Sequence, residues 1–131
     1  MIKLKSLKTI IAITLFSAGS LAHADRLAGT ASGGIRQTRV VCYLFNAGPG
    51  NVTITSKAIY GEIGGLRTIA YDGCGTSTLA EGVTCGFFSN IPAQYGGNSC
   101  NVVISPSAAN VRGQLEVRDS AGEILNSIEL R

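Results

Sequence analysis

A chain of 131 residues, 45% hydrophobic and 15% charged, suffices for one domain with its own core and is short for two. Its formal charge of +3 comes from 11 lysines and arginines against 8 acids, with one histidine, four cysteines and no tryptophan. That modest excess is no basic stripe of the kind nucleic acid requires.

The first residues read as a targeting segment. Lys3, Lys5 and Lys8 form a positive start, 9–18 is an apolar run without charge, and Gly19 and Ser20 break it. Ala22-His23-Ala24 is the small-x-small pattern that signal peptidase reads. The run is too short for a bilayer, which takes about 20 residues. The expectation is a signal peptide over 1–24, a single exported domain over 25–131, and no membrane segment after cleavage.

Removing 24 of the 131 residues leaves 107 and changes the chemistry. Three lysines go, so 8 basic residues face 8 acidic ones and the formal charge falls to zero. His23 goes too. A chain without histidine has no Ser-His-Asp or Cys-His site and no histidine metal ligand. The sequence points to no enzyme, no cofactor and no bound metal, and leaves the oligomeric state open.

Residues 25–34 are small and polar and read as a lead-in with one edge strand. Residues 39–45 hold Val40-Val41-Cys42-Tyr43-Leu44-Phe45, a strand apolar on both faces and therefore central. Asn46 to Asn51 is a turn by composition. Residues 52–60 alternate, with Val52, Ile54, Ala58 and Tyr60 expected on one face and Lys57 on the solvated one. A short strand follows over 66–71, a glycine turn around Cys74, and a strand over 83–88. Residues 89–99 read as an irregular loop.

Cys100, Val102 and Ile104 then share a face, as do Val111, Gly113, Leu115 and Val117. This is the period of half-buried strands. Asp119 to Gly122 is a compact hairpin turn, and 123–130 returns as the last strand. The 17 glycines, each costing about 1 kcal/mol inside a helix, exclude a helical fold. The pattern predicts an all-β, immunoglobulin-like antiparallel sandwich of about seven strands.

Cys42, Cys74, Cys85 and Cys100 all survive cleavage, and an even count in an exported chain points to disulfides. The spacing lacks the close pairs of a zinc site. Cys42 shares a face with Val40 and Leu44, and Cys100 with Val102 and Ile104, so these two belong in the core as one bridge. Cys74 lies in a glycine turn and takes a local partner, Cys85.

Asn46-Ala47-Gly48, then Leu79-Ala80-Glu81-Gly82-Val83-Thr84-Cys85, then Ile104-Ser105-Pro106 with Leu115-Glu116-Val117 resemble the Ig-like modules called ASH or choice-of-anchor D domains. The likeness spans roughly 40–118. It implies a non-catalytic sandwich used for protein contacts or surface assembly, and it supplies no site residues.

Other constellations read as structure. Ser56 and Lys57 are adjacent in a strand and point apart. Glu62, Asp72 and Glu81 sit at turns. Phe87-Phe88 is different, because one of two neighbours in a strand faces away from the core. With Tyr95 in the following loop, this pair marks the candidate contact surface. The expected partner is another exported or envelope protein. A carbohydrate binder would need two or more exposed aromatics on one face, and a hydrolase inhibitor would present the 89–99 loop.

Overall fold

The computed structural model describes residues 24–62, 65–75, 77–93 and 96–131. The expected leader over 1–24, apart from Ala24, lies outside the described residues, and so does Tyr95.

Among the described residues ten strands form: β1 (Asp25–Ala31), β2 (Arg39–Asn46), β3 (Val52–Gly61), β4 (Gly65–Leu66), β5 (Tyr71–Asp72), β6 (Thr78–Leu79), β7 (Thr84–Asn90), β8 (Asn98–Ser105), β9 (Val111–Arg118) and β10 (Ile124–Leu130). Seven are long and the other three have two residues each, ten in place of the predicted seven or so. One antiparallel sheet runs β1-β8-β3-β4 with β6 also on β3; the other runs β10-β9-β2-β7-β5. The two make an all-β sandwich.

The core fills from both inner faces. Val40, Cys42, Leu44, Phe87, Leu115 and Val117 of the second sheet meet Leu27, Ile54, Ile59, Cys100, Val102 and Ile104 of the first. Cys42 on central β2 is bonded to Cys100 on β8, Cα atoms 6.1 Å apart, so the disulfide crosses between the layers. Cys74 is bonded to Cys85. Both pairings are the ones the sequence predicts. Two disulfides also fit an oxidising, exported setting. No described helix is long and apolar enough to cross a membrane.

The sandwich closes where its two terminal strands meet. Ala28 and Arg131 exchange backbone hydrogen bonds of 2.9 and 3.0 Å. Gly29 permits the approach, since a Cβ there would lie 2.7 Å from Ile128 Cδ1. At the other end of the chain's last hairpin, Gly122 takes φ +84° and donates its N–H to Asp119 O at 3.0 Å.

Three expectations change. Strand β3 carries an irregularity between Ile54 and Ser56, which shifts its phase. Ile59 and Lys57 turn inward opposite Cys100 and Val102, while Tyr60 faces out. The predicted strand over 66–71 is instead two short pieces in different sheets, β4 and β5, with the chain crossing the sandwich edge between them. The loop over 89–99 is shorter, because its ends join strands. Ser89 and Asn98 are buried, with Ser89 Oγ donating to Thr68 O and Asn98 Nδ2 facing Gln37 Oε1.

Candidate contact surface

Alternation in β2 fixes the site. With Val40, Cys42 and Leu44 in the core, Arg39, Val41, Tyr43 and Phe45 must point the other way. The register places their neighbours. Val41 lies opposite Phe88 and Glu116, Tyr43 opposite Gly86 and Gln114, Phe45 opposite Thr84 and Arg112, and Arg39 opposite Asn90 and Arg118. Phe88 in turn lies opposite Tyr71 of β5. The outer face of this sheet thus gathers four aromatic rings and three arginines.

The aromatic side is built from β5, β7 and β2. Tyr71, 58% exposed, stacks on Phe88 with ring centroids 5.5 Å apart and planes 24° apart. The Arg39 guanidinium lies 4.4 Å from the Phe88 centroid, at cation–π distance. The segment carrying Tyr71 is held along the edge of β7 by three bonds of 2.8 Å: Ala70 N–H to Phe88 O, Gly73 N–H to Gly86 O, and Ser89 Oγ to Thr68 O. The Cys74–Cys85 disulfide locks the same strip. Together these groups border a shallow hollow of about 370 Å³.

A second hollow, of about 550 Å³, lies beside it over β2, β9 and β10. Phe45, 39% exposed, Arg112, Gln114 and Glu129 line it. Tyr43 borders both hollows. Its ring leans across Gly86, where a Cβ would sit 3.0 Å from Tyr43 Cδ1. A side chain at Gly86 would require the Tyr43 ring to give way by a few tenths of an ångström.

Charge on this face is unevenly compensated. Arg118 donates through Nε to Glu116 Oε2 at 2.9 Å and reaches the Tyr43 hydroxyl at 3.4 Å. The hydrogen bond it donates to Glu116 raises the Arg118 pKa above its ordinary value, against a smaller lowering by burial. Arg39 and Arg112 have no carboxylate within ion-pair distance among the described residues.

The sequence candidates separate cleanly. Phe88 is on the face. Phe87 is fully buried in the core and cannot serve as a contact residue, because the inward position of Cys85 fixes β7's phase. Tyr95 lies outside the described residues. Sequence reasoning missed Arg39, Tyr43, Phe45 and Arg112. Their signal was the same alternation that placed Cys42 inward. Ser56 faces solvent and Lys57 turns inward to Asp72, so no dyad forms. Glu62 accepts from Gly97 N and Glu81 from Gly50 N, each holding a loop. No group of three or more possible metal ligands occurs among the described residues.

The fold and this face define a disulfide-bonded β-sandwich with an aromatic, arginine-bearing outer surface. Comparison with family models, curated proteins and solved structures gives no match.

Proposed function

We propose that this chain is exported behind the leader 1–24 to the periplasm or beyond. There, residues 25–131 act as a non-catalytic contact module for another exported or envelope protein. The outer face of the β10-β9-β2-β7-β5 sheet is the surface that meets the partner. The observation that carries this reading is the gathering of Tyr43, Phe45, Tyr71 and Phe88 with Arg39 and Arg112 on one face. Tyrosine and arginine are the residues that concentrate binding energy at protein interfaces, and aromatics are enriched there. The resemblance to ASH-type modules points the same way.

Two measurements test it. Intact mass of the exported protein is expected to give an N-terminus at Asp25; a species keeping 1–24 overturns the export reading. Cross-linking in the envelope fraction is expected to yield a partner adduct lost with Tyr71→Ala and with Phe45→Ser. An adduct that survives both substitutions places the contact elsewhere. A second reading has its own support: Tyr71 and Phe45 are both exposed on one face, which meets the requirement set above for a carbohydrate binder. Retardation of the protein in a gel containing a soluble neutral glucan, lost with Tyr71→Ala, favours that reading.

A further inference from the structure

The zero formal charge of residues 25–131 conceals an imbalance in which charges are satisfied. Seven of the eight carboxylates accept hydrogen bonds within the chain, and the eighth, Glu129, lies 3.8 Å from Arg131. Asp72, Glu116, Asp119, Glu123 and Glu129 pair with Lys57, Arg118, Arg36, Arg36 and Arg131. Asp25 accepts from Ser107 Oγ and Ala108 N, and Glu62 and Glu81 accept from backbone N–H groups. Arg26, Arg39, Arg67 and Arg112 have no such ion pair among the described residues. Arg26 lies on the other sheet, and Arg67 is folded over Gly61 beside β3. Only Arg39 and Arg112 share a face, and each stands at the end of one of the two hollows, with Tyr43 between.

Arg112 sits opposite Phe45, and Arg39 is six residues back along β2. At about 3.3 Å per residue the two register positions are about 20 Å apart along the strand direction. An extended peptide laid along β2 covers that length with seven residues. Its first, third, fifth and seventh side chains face the surface. The ends meet arginine and the middle meets Val41, Tyr43 and the hollows.

Resting on the reading of this face as the contact surface, we propose that the partner presents an extended acidic segment. Its acidic residues stand six positions apart and bracket apolar or aromatic side chains. The carboxylates engage Arg39 and Arg112, both planar forks suited to bidentate carboxylate binding. The apolar residues enter the hollows beside Tyr71–Phe88 and Phe45. Charge complementarity of this kind sets partner choice and register more than raw affinity.

The test uses the exported protein, isotope-labelled and purified with both disulfides intact. The probe is a capped heptapeptide with glutamates first and last, tyrosine third and leucine fifth. Backbone amide shifts are expected along Arg39–Phe45 and around Arg112 and Gln114. Binding is expected to weaken about tenfold when both glutamates become glutamines, or with Arg39→Gln plus Arg112→Gln, and to fall with added salt. Equal binding of the glutamine peptide, or indifference to the double substitution, overturns the acidic-segment inference while shifts on this face uphold the contact reading. Absence of binding by the acidic peptide also overturns the inference, and the cross-linking test above then decides the face by itself. Tighter binding of polygalacturonate on the same residues replaces the peptide with an acidic glycan.

Discussion

Lys57 on the inner side of β3 forms an ion pair with Asp72 on β5, and so ties one sheet to the edge of the other. The lysine side chain is only 16% exposed, and its Nζ lies 6.0 Å from the Phe87 ring centroid. Alternation from Ile54 alone puts this residue in solvent. The irregularity between Ile54 and Ser56 turns it inward, where its stem covers core and its tip reaches the sandwich edge.

Lys57→Ala is therefore expected to cost about 1–2 kcal/mol, from lost packing and a lost pair, while Lys57→Met, which keeps the stem, costs less. A double-mutant cycle with Asp72→Asn, read by urea unfolding, is expected to give a coupling of about 0.5–1 kcal/mol. A coupling of zero would show that the pair contributes nothing beyond packing.

The difference between what was legible and what was not follows physical lines. The long strands, the two layers and both disulfides were legible because alternation and cysteine phase are local. Strand β3's inner residues were not, because one extra residue in a strand reverses every later side chain without a mark in composition. β4, β5 and β6 were too short to carry a period. The contact face was half legible. Phe88 follows from Phe87-Phe88, but Tyr43 and Phe45 carry no mark of exposure because β2 is apolar on both sides. Arg39 and Arg112 became distinctive only when every carboxylate had been placed.

Asn46 closes β2 and is fully buried, with its side-chain bonds directed into the following turn and to β6. Its Nδ2 donates to Gly50 O at 2.8 Å and Leu79 O at 3.0 Å, and its Oδ1 accepts from Gly48 N at 2.9 Å. Asn46→Ala leaves these groups without a partner away from water, at an expected cost of about 2–3 kcal/mol. Asn46→Asp is expected to be worse than Asn46→Ser, since a carboxylate cannot donate to the two carbonyls. Urea midpoints in the reverse order would contradict this account.

Asp119 is expected to make the β9–β10 hairpin sensitive to acid. Burial works against its charge, but the Glu123 N–H at 3.0 Å, Arg36 Nη2 at 2.6 Å and the Ala121 N–H at 2.9 Å outweigh it. Its carboxyl is held below the ordinary 3.8. A depressed folded pKa adds stability that is present above the unfolded value and lost as pH falls through the folded one. The stability gap between wild type and Asp119→Asn is expected to be flat from about pH 8 to 5 and to close below about pH 4. A gap unchanged at pH 2–3 would assign the effect of the substitution to geometry instead of charge.

The two disulfides are expected to fail differently. Cys42–Cys100 closes 58 positions and Cys74–Cys85 closes 11. In the chain-entropy model these remove about 4 and about 3 kcal/mol of unfolded-state freedom. The first also joins the two inner faces at positions with no solvent exposure, so its loss leaves thiols or a hole in the core. Against a total of about 5–15 kcal/mol for a domain of this size, Cys42→Ala with Cys100→Ala is expected to leave a marginal or unfolded chain. Cys74→Ser with Cys85→Ser is expected to stay folded, because β2, β7 and β9 keep their ladders. What it loosens is the strip that carries Tyr71. Its near-ultraviolet circular dichroism is expected to lose the Tyr71–Phe88 contribution while the far-ultraviolet spectrum holds. In the cross-linking assay it is expected to follow Tyr71→Ala. A double serine variant with native near-ultraviolet signal and native cross-linking would show that the backbone bonds to β7 suffice to seat Tyr71. The disulfide's part would then be stability alone.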